Sequence, residues 1–317
     1  FELNGQKVAE ALDSESITYN FTATEAGNFS LVAKAVKGDQ SDTQTANIVV
    51  FAPSETANLP AGSKLGINYL NDTEVILALQ APGKSIVHVI GDFNDWAVLP
   101  SYQMKRTPDG EIFWLKISNL EPKKEYIFQY LVDGEIRIGD PYADKTSDPF
   151  NDQEIIDQNR HPGLKPYPAG KTEFQATYLQ TAQDPYAWKN LAYEKPQPEE
   201  LVIYELLVRD FDDRRTYNAV IERLDYLKDL GINAIQLMPI MEFEGNLSGG
   251  YNPSFFFAPD KYYGTKNDLK RLIDEAHGKG IVVILDMVLN HAFGQNPMVE
   301  LKPTDIPVVE SPNHKRH

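Results

Sequence analysis

The period of the apolar residues changes near Leu201, and that change constrains the C-terminal part of the chain more than any other feature. The run Leu201-Val-Ile-Tyr-Glu-Leu-Leu-Val208 reads as a strand buried on both faces. Thr216 then caps a helix with Val220, Leu224 and Leu227 at helical spacing, closed by Gly231. Ile232–Met238 supplies a second strand, followed by a long loop from Pro239 to Gly264. Thr265 and Asp268 form a capping-box variant that opens a helix carrying Leu269, Leu272, Ile273 and Ala276 on one face. Gly280 ends it, and Ile281–Val288 is a third strand. Strand, helix, strand, helix, strand predicts parallel βαβ units. The Pro-rich residues 297–317 offer no further strand or helix.

Upstream of that switch the period is two. Residues 1–53 are rich in Thr, Ser, Asn and Val, with alternation in Phe29-Ser-Leu31-Val-Ala33 and a further apolar run at Ile48-Val-Val-Phe51. They predict a partial β module, since a full sandwich needs about 100 residues. Pro53 and Leu59-Pro60-Ala-Gly62 mark a linker. Residues 60–170 predict a second β domain with strands at Val75–Leu79, Ile86–Ile90, Ile112–Ile117, Tyr126–Val132 and Glu135–Ile138. Asp133-Gly134 should turn the last hairpin, because it tolerates positive φ. Residues 171–198 read as a connector, with one or two strands near Glu173–Leu179, and 199–317 as the α/β part.

Composition removes several function classes. Asp plus Glu number 46 against 30 Lys plus Arg, a net charge of −16, which opposes a nucleic-acid partner because phosphate neutralisation needs a basic surface. With no cysteine there is no disulfide, thiolate metal site or cysteine nucleophile. No apolar run approaches the ~20 residues of a membrane span. The opening Phe1, without a leader pattern, is expected of a mature chain or a fragment.

In a parallel βα array, chemistry gathers where the strands end. The third strand ends in Asp286-Met-Val-Leu-Asn290-His291, which brings a carboxylate, an amide and an imidazole to one rim. Taken alone, Asp286 and Asn290 could equally satisfy turn amides, with His291 incidental. The long loop adds Gly249-Gly250-Tyr251-Asn252-Pro253 and Phe255-Phe-Phe257. Aromatic rings suit sugar recognition because they stack on apolar C–H faces. Most of the Phe residues are better read as loop anchors, and Tyr251, flanked by Gly and Pro, is the ligand candidate.

The ordered series Tyr204-Glu-Leu-Leu-Val-Arg-Asp-Phe211, Met238-Pro-Ile, Gly250-Tyr-Asn-Pro253, Phe257-Ala-Pro-Asp-Lys-Tyr-Tyr-Gly264 and Asp286-Met-Val-Leu-Asn-His291 resembles glycoside hydrolase family 13 over residues 199–291. This is the α-amylase family, in the branch with neopullulanases, cyclomaltodextrinases and branching enzymes. The resemblance implies β-sandwich modules followed by the first part of a (β/α)₈ TIM barrel, and retaining action on an α-glucan oligosaccharide or polysaccharide. It implies that Tyr251 stacks on the sugar at the cleavage site and that Asp286 and His291 hydrogen-bond its hydroxyls. It makes Asn290 a candidate calcium ligand, although calcium wants about 6–8 oxygens and Asn290 alone supplies one. Gly91-Asp-Phe-Asn-Asp-Trp96, Trp114, the Tyr126–Gly134 stretch and Asp140-Pro-Tyr-Ala143 resemble the early-set immunoglobulin-like domain that precedes the barrel, akin to carbohydrate-binding module family 48. That likeness makes Trp96 a candidate accessory glucan contact. Ile136 stands where glucan-binding members carry a second tryptophan, and packing is the competing role for Trp96 and Trp114.

Retaining hydrolysis needs two carboxyl groups about 5 Å apart. In the family they follow strands four and five. Residues 199–317 number 119 where a complete barrel takes about 250, and no Gly-x-Arg-x-Asp follows the third strand. The expectation is therefore the N-terminal part of an α-glucan-processing enzyme, with no catalytic carboxylate in the 317 residues and no activity of its own. A non-catalytic glucan-binding or structural β-domain protein with a vestigial barrel half stands as the alternative. The resemblance suits a bacterial enzyme exported or held at the cell surface.

Overall fold

Asn4, Gly5 and Gly38 adopt positive φ, and the two turns they form fold residues 1–54 into antiparallel ribbons. The computed structural model describes residues 1–301. The first unit, residues 1–54, is one sheet ordered β2-β1-β3-β4: β1 (Glu2–Leu3), β2 (Gln6–Lys7), β3 (Gly27–Lys37) and β4 (Gln40–Val50). The β3–β4 hairpin pairs Gly27 with Val50 through to Lys37 with Gln40, as the alternation predicts. Phe21 and Phe29 meet on it with ring centroids 5.1 Å apart.

The second unit begins at Glu55. Its β5 (Gly66–Asn71), β6 (Glu74–Gln80), β8 (Lys105–Arg106) and β9 (Ile112–Ile117) form one antiparallel sheet, ordered β5-β6-β9-β8. A second sheet holds β7 (Val87–Gly91), β10 (Glu125–Val132), β11 (Ile136–Ile138), β12 (Thr146–Ser147) and β13 (Ala176–Gln180). Val75, Leu77, Phe113 and Leu115 of the first sheet share one core with Val87, Val89, Phe128 and Tyr130 of the second, which makes a β-sandwich. Asp133 and Gly134 take φ of 52° and 76°, so the hairpin turns where the Asp-Gly dipeptide predicts.

The second sheet is buried on both faces. Ile90, Ile127, Leu131, Ala176 and Tyr178 point away from the sandwich core into a larger cluster with Leu206, Val220, Leu237 and Leu272 of the α/β part. Hence β10 is buried almost throughout instead of alternating. Of the one or two strands expected near Glu173–Leu179, β13 takes form within residues 171–198. It is hydrogen-bonded to β10 from Glu125↔Gln180 to Phe128↔Thr177. β5 was not anticipated; Asn and Tyr dilute its apolar pattern, and three of its six residues are exposed. Helix α1 (Asp152–Asp157) is a further element that its Asp- and Pro-rich surroundings hid.

The α/β part contains β14 (Ile203–Leu206), α2 (Val208–Phe211), α3 (Tyr217–Ile221), α4 (Leu224–Asp229), β15 (Ala234–Leu237), α5 (Lys266–Gly278), β16 (Val282–Leu285) and α6 (Pro297–Leu301). The sheet is parallel and ordered β14-β15-β16, with Leu206, Leu237 and Leu285 in register. Thr216 Oγ1 accepts from Ala219 N–H at 3.2 Å and opens α3. The capping box at α5 closes reciprocally, Asp268 N–H to Thr265 Oγ1 at 3.0 Å and Thr265 N–H to Asp268 Oδ2 at 2.9 Å. The single predicted first helix is split in two at Glu222–Arg223.

One expectation fails here. β14 is four residues long and covered on one face only. Leu206, Ile235 and Leu237 pack under the helices, while Ile203 and Glu205 on the opposite face are exposed. Three described strands twist into an open segment of sheet, so this inner face has no second wall. Helix α6 places Leu301 in the sandwich core, against the expectation of no further element; the rest of that expectation, 302–317, lies outside the described residues. No helix among the described residues is long and apolar enough to cross a membrane.

Candidate active-site rim

All three parallel strands end at one level, and the loops that follow two of them meet. Asp286 directly follows β16, its N–H donating to Leu237 O at 2.9 Å, just as Met238 N–H donates to Leu206 O at 2.9 Å. Side chains alternate along a strand, which puts Asp286 on the open inner face with Val282 and Ile284. Tyr251 arrives from the loop after β15. Gly250 makes this route available: its φ is 86°, and a Cβ there would lie 2.2 Å from the Pro239 carbonyl oxygen.

These residues form a bonded set. The Tyr251 hydroxyl donates to Asp286 Oδ2 at 2.7 Å. His291 Nε2 donates to the Tyr251 carbonyl oxygen at 2.7 Å. Tyr251 as a whole residue is 45% exposed, so it keeps area for a ligand. The hydrogen bond to Asp286 foremost, then burial and the charge of Asp286, push the phenol up to about 12. Three residues named from the sequence therefore come together.

The other two do not join them. Asn290 is exposed, and among the described residues no group of three or more His, Asp or Glu side chains could hold a metal ion. One amide falls far short of a calcium shell, so no step here is assigned to calcium. Trp96, the candidate accessory glucan contact, is packed into the core. It is only 8% exposed, within the cluster that holds Ile90 and Ile127, and its Nε1 donates to Asp92 Oδ1 at 3.3 Å. Trp114 is also spent on packing, its Nε1 donating to Ala57 O at 3.0 Å.

Several residues near the rim escaped the sequence reading. Glu205 is exposed on the inner face of β14, and its charge reaches Tyr251. The one signal for it was a carboxylate interrupting an apolar strand. Behind the rim, Lys261, Glu242, Asp152 and Asp260 are all buried. Lys261 pairs with Glu242, lies 3.3 Å from Asp152 Oδ1 and donates to Thr146 Oγ1 at 2.7 Å, tying the long loop to the β-sandwich. Burial opposes its charge, but Asp152, Glu242 and Asp148 together hold the ammonium above its usual range. Burial pushes the Glu242 carboxyl up to about 7 and Asp260 well above its usual range. Phe255 is fully buried and Phe257 is exposed, stacked on Tyr142 with centroids 5.2 Å apart.

Residues 209–300 match the family profile described as "Alpha amylase, catalytic domain". A malto-oligosyltrehalose trehalohydrolase from Saccharolobus solfataricus is 33% identical over 219 residues, covering 67% of this chain and 35% of the relative. A 1,4-alpha-glucan-branching enzyme from Rhizophagus irregularis is 34% identical over 236 residues, 72% of this chain and 32% of the relative. The chain thus spans about a third or less of the length of the curated relatives it matches. Among solved structures, the catalytic module of the glycogen-degrading pneumococcal virulence factor SpuA aligns with a TM-score of 0.57 at 25% identity, covering 73% of this chain and 38% of that one. A pullulanase complexed with maltotetraose aligns with a TM-score of 0.56 over 73% of this chain and 34% of that one; at 22% identity it bears on the fold alone.

Proposed function

We propose, from the membership of residues 209–300 in the alpha-amylase catalytic-domain family, that this chain carries the sugar-binding rim of an α-glucan-processing enzyme of the retaining type. The observation that carries the reading is the bonded set Tyr251–Asp286–His291 at the C-terminal ends of parallel strands. The exposed Tyr251 offers a stacking face for a glucose unit. Asp286 gives one oxygen to Tyr251 and keeps Oδ1 for a sugar hydroxyl, a charge-assisted bond stronger than a neutral one. His291 fixes the height of the ring through the Tyr251 backbone. The relatives, a trehalohydrolase and a branching enzyme, favour an enzyme over a non-catalytic glucan-binding protein.

The rim binds and does not cleave by itself. Cleavage in this family needs a nucleophile and an acid/base, and the 317 residues hold no Gly-x-Arg-x-Asp after the third strand. The 317-residue chain is therefore expected to bind maltotetraose and to release no reducing sugar. Turnover above that of Asp286→Ala would contradict the absence of a catalytic pair. No maltotetraose binding at any concentration would contradict the rim.

A further inference from the structure

A side chain outside the rim bridges the two segments that carry Tyr251 and His291. Glu244 lies earlier on the loop that carries Tyr251. Its N–H donates to the Asn252 carbonyl at 3.2 Å and its own carbonyl accepts from Asn252 Nδ2 at 2.9 Å, which fixes it to the neighbour of Tyr251. Its carboxylate accepts the Gln295 N–H at 2.8 Å, just beyond His291. Phe293 N–H, donating to Pro253 O at 3.1 Å, crosses the same two segments. The Gln295 side chain then accepts from Gln175 Nε2 at 3.1 Å, and Gln175 also donates to Asp148 Oδ2 at 3.2 Å. The Glu244 carboxylate thus links the phenol's loop to the imidazole's segment, and the Gln295 side chain links that segment to the β-sandwich.

We propose that Glu244 is a positioning residue that sets His291 against Tyr251, and that the β-sandwich serves the rim as its scaffold through Gln175 and Gln295. The His291–Tyr251 bond joins two irregular segments, neither of which is held in place by regular secondary structure. A carboxylate accepting a backbone N–H is a charge-assisted bond, well suited to hold such segments in one register. A sugar ring stacked on Tyr251 meets the polar groups around it only if that register is kept, and small misplacements are costly. The last step rests on the function proposed above; the geometric step does not.

The test uses the 317-residue chain, with ¹⁵N NMR of the His291 ring nitrogens assigned through His291→Gln. Glu244→Ala should shift the Nε2 resonance toward that of a solvent-exposed imidazole and weaken maltotetraose binding about threefold or more. Glu244→Gln keeps an acceptor and should retain the wild-type resonance and most of the affinity. Gln295→Ala keeps its N–H on Glu244 but loses Gln175, and should give a smaller shift of the same sign. An unchanged His291 resonance in Glu244→Ala would overturn the proposal; should that variant not fold, an unchanged resonance in Gln295→Ala would do so. If wild type binds no maltotetraose while the resonance still moves, the proposed function fails and Glu244 keeps its positioning role.

Discussion

The Tyr251 hydroxyl and Asp286 Oδ2 lie 2.7 Å apart, joining the loop after β15 to the end of β16. A phenol that donates to a carboxylate resists losing its proton, because the phenolate would face that charge without the bond. Asp286→Asn should therefore bring the Tyr251 ionisation down from about 12 toward the ordinary 10. Ring ¹³C shifts of Tyr251, followed from neutral pH into the alkaline range, should show onset at lower pH in the variant. Identical onset in both proteins would mean that the pair does not exist in solution.

Trp96→Ala should cost stability and spare sugar binding. The indole is 8% exposed in a core cluster, and removing a buried large aromatic costs about 3–5 kcal/mol. Urea unfolding and maltotetraose titration on one sample separate the roles. Unchanged stability with weakened binding would restore Trp96 as a sugar contact.

How much was legible in the sequence follows from where each signal is local. Thr216, Thr265 with Asp268, and Asp133-Gly134 act within a few residues, and each takes the expected capping or turn role. Tyr251, Asp286 and His291 were named from motifs, and the structure adds the bonds between them. What stayed hidden depends on partners far along the chain. The pairing of β13 with β10 could not be read from the local pattern, and Trp96 is buried because the second sheet is packed on both faces. Lys261 gave no sign of burial, because its partners Asp152 and Thr146 come from a distant part of the chain.

Lys261→Met should be among the most damaging single changes in the second unit. It removes the cation from between Glu242 and Asp152 and leaves buried carboxylates unpaired, which costs about 3–5 kcal/mol. Chemical denaturation should register the loss. A change below about 1 kcal/mol would show that neighbouring groups solvate the cluster without the lysine.

Glu242 should make the fold less stable as pH rises. Its carboxyl is raised from 4.5 to about 7 by burial, so the folded state holds a proton that the unfolded chain has released. The resulting stabilisation is complete below pH 4.5 and is lost as pH rises through about 7. Glu242→Gln removes this contribution, so its melting temperature should fall less between pH 5 and 7.5 than that of wild type. A steeper fall in the variant would reverse the assigned sign.

Maltotetraose titration of the isotope-labelled chain, with resonances read at Tyr251, Asp286 and His291, tests the central claim most directly. The account predicts saturable shifts in the millimolar range, centred on these three residues and abolished or strongly weakened in Asp286→Asn. Shifts centred elsewhere, or undiminished in Asp286→Asn, would contradict it.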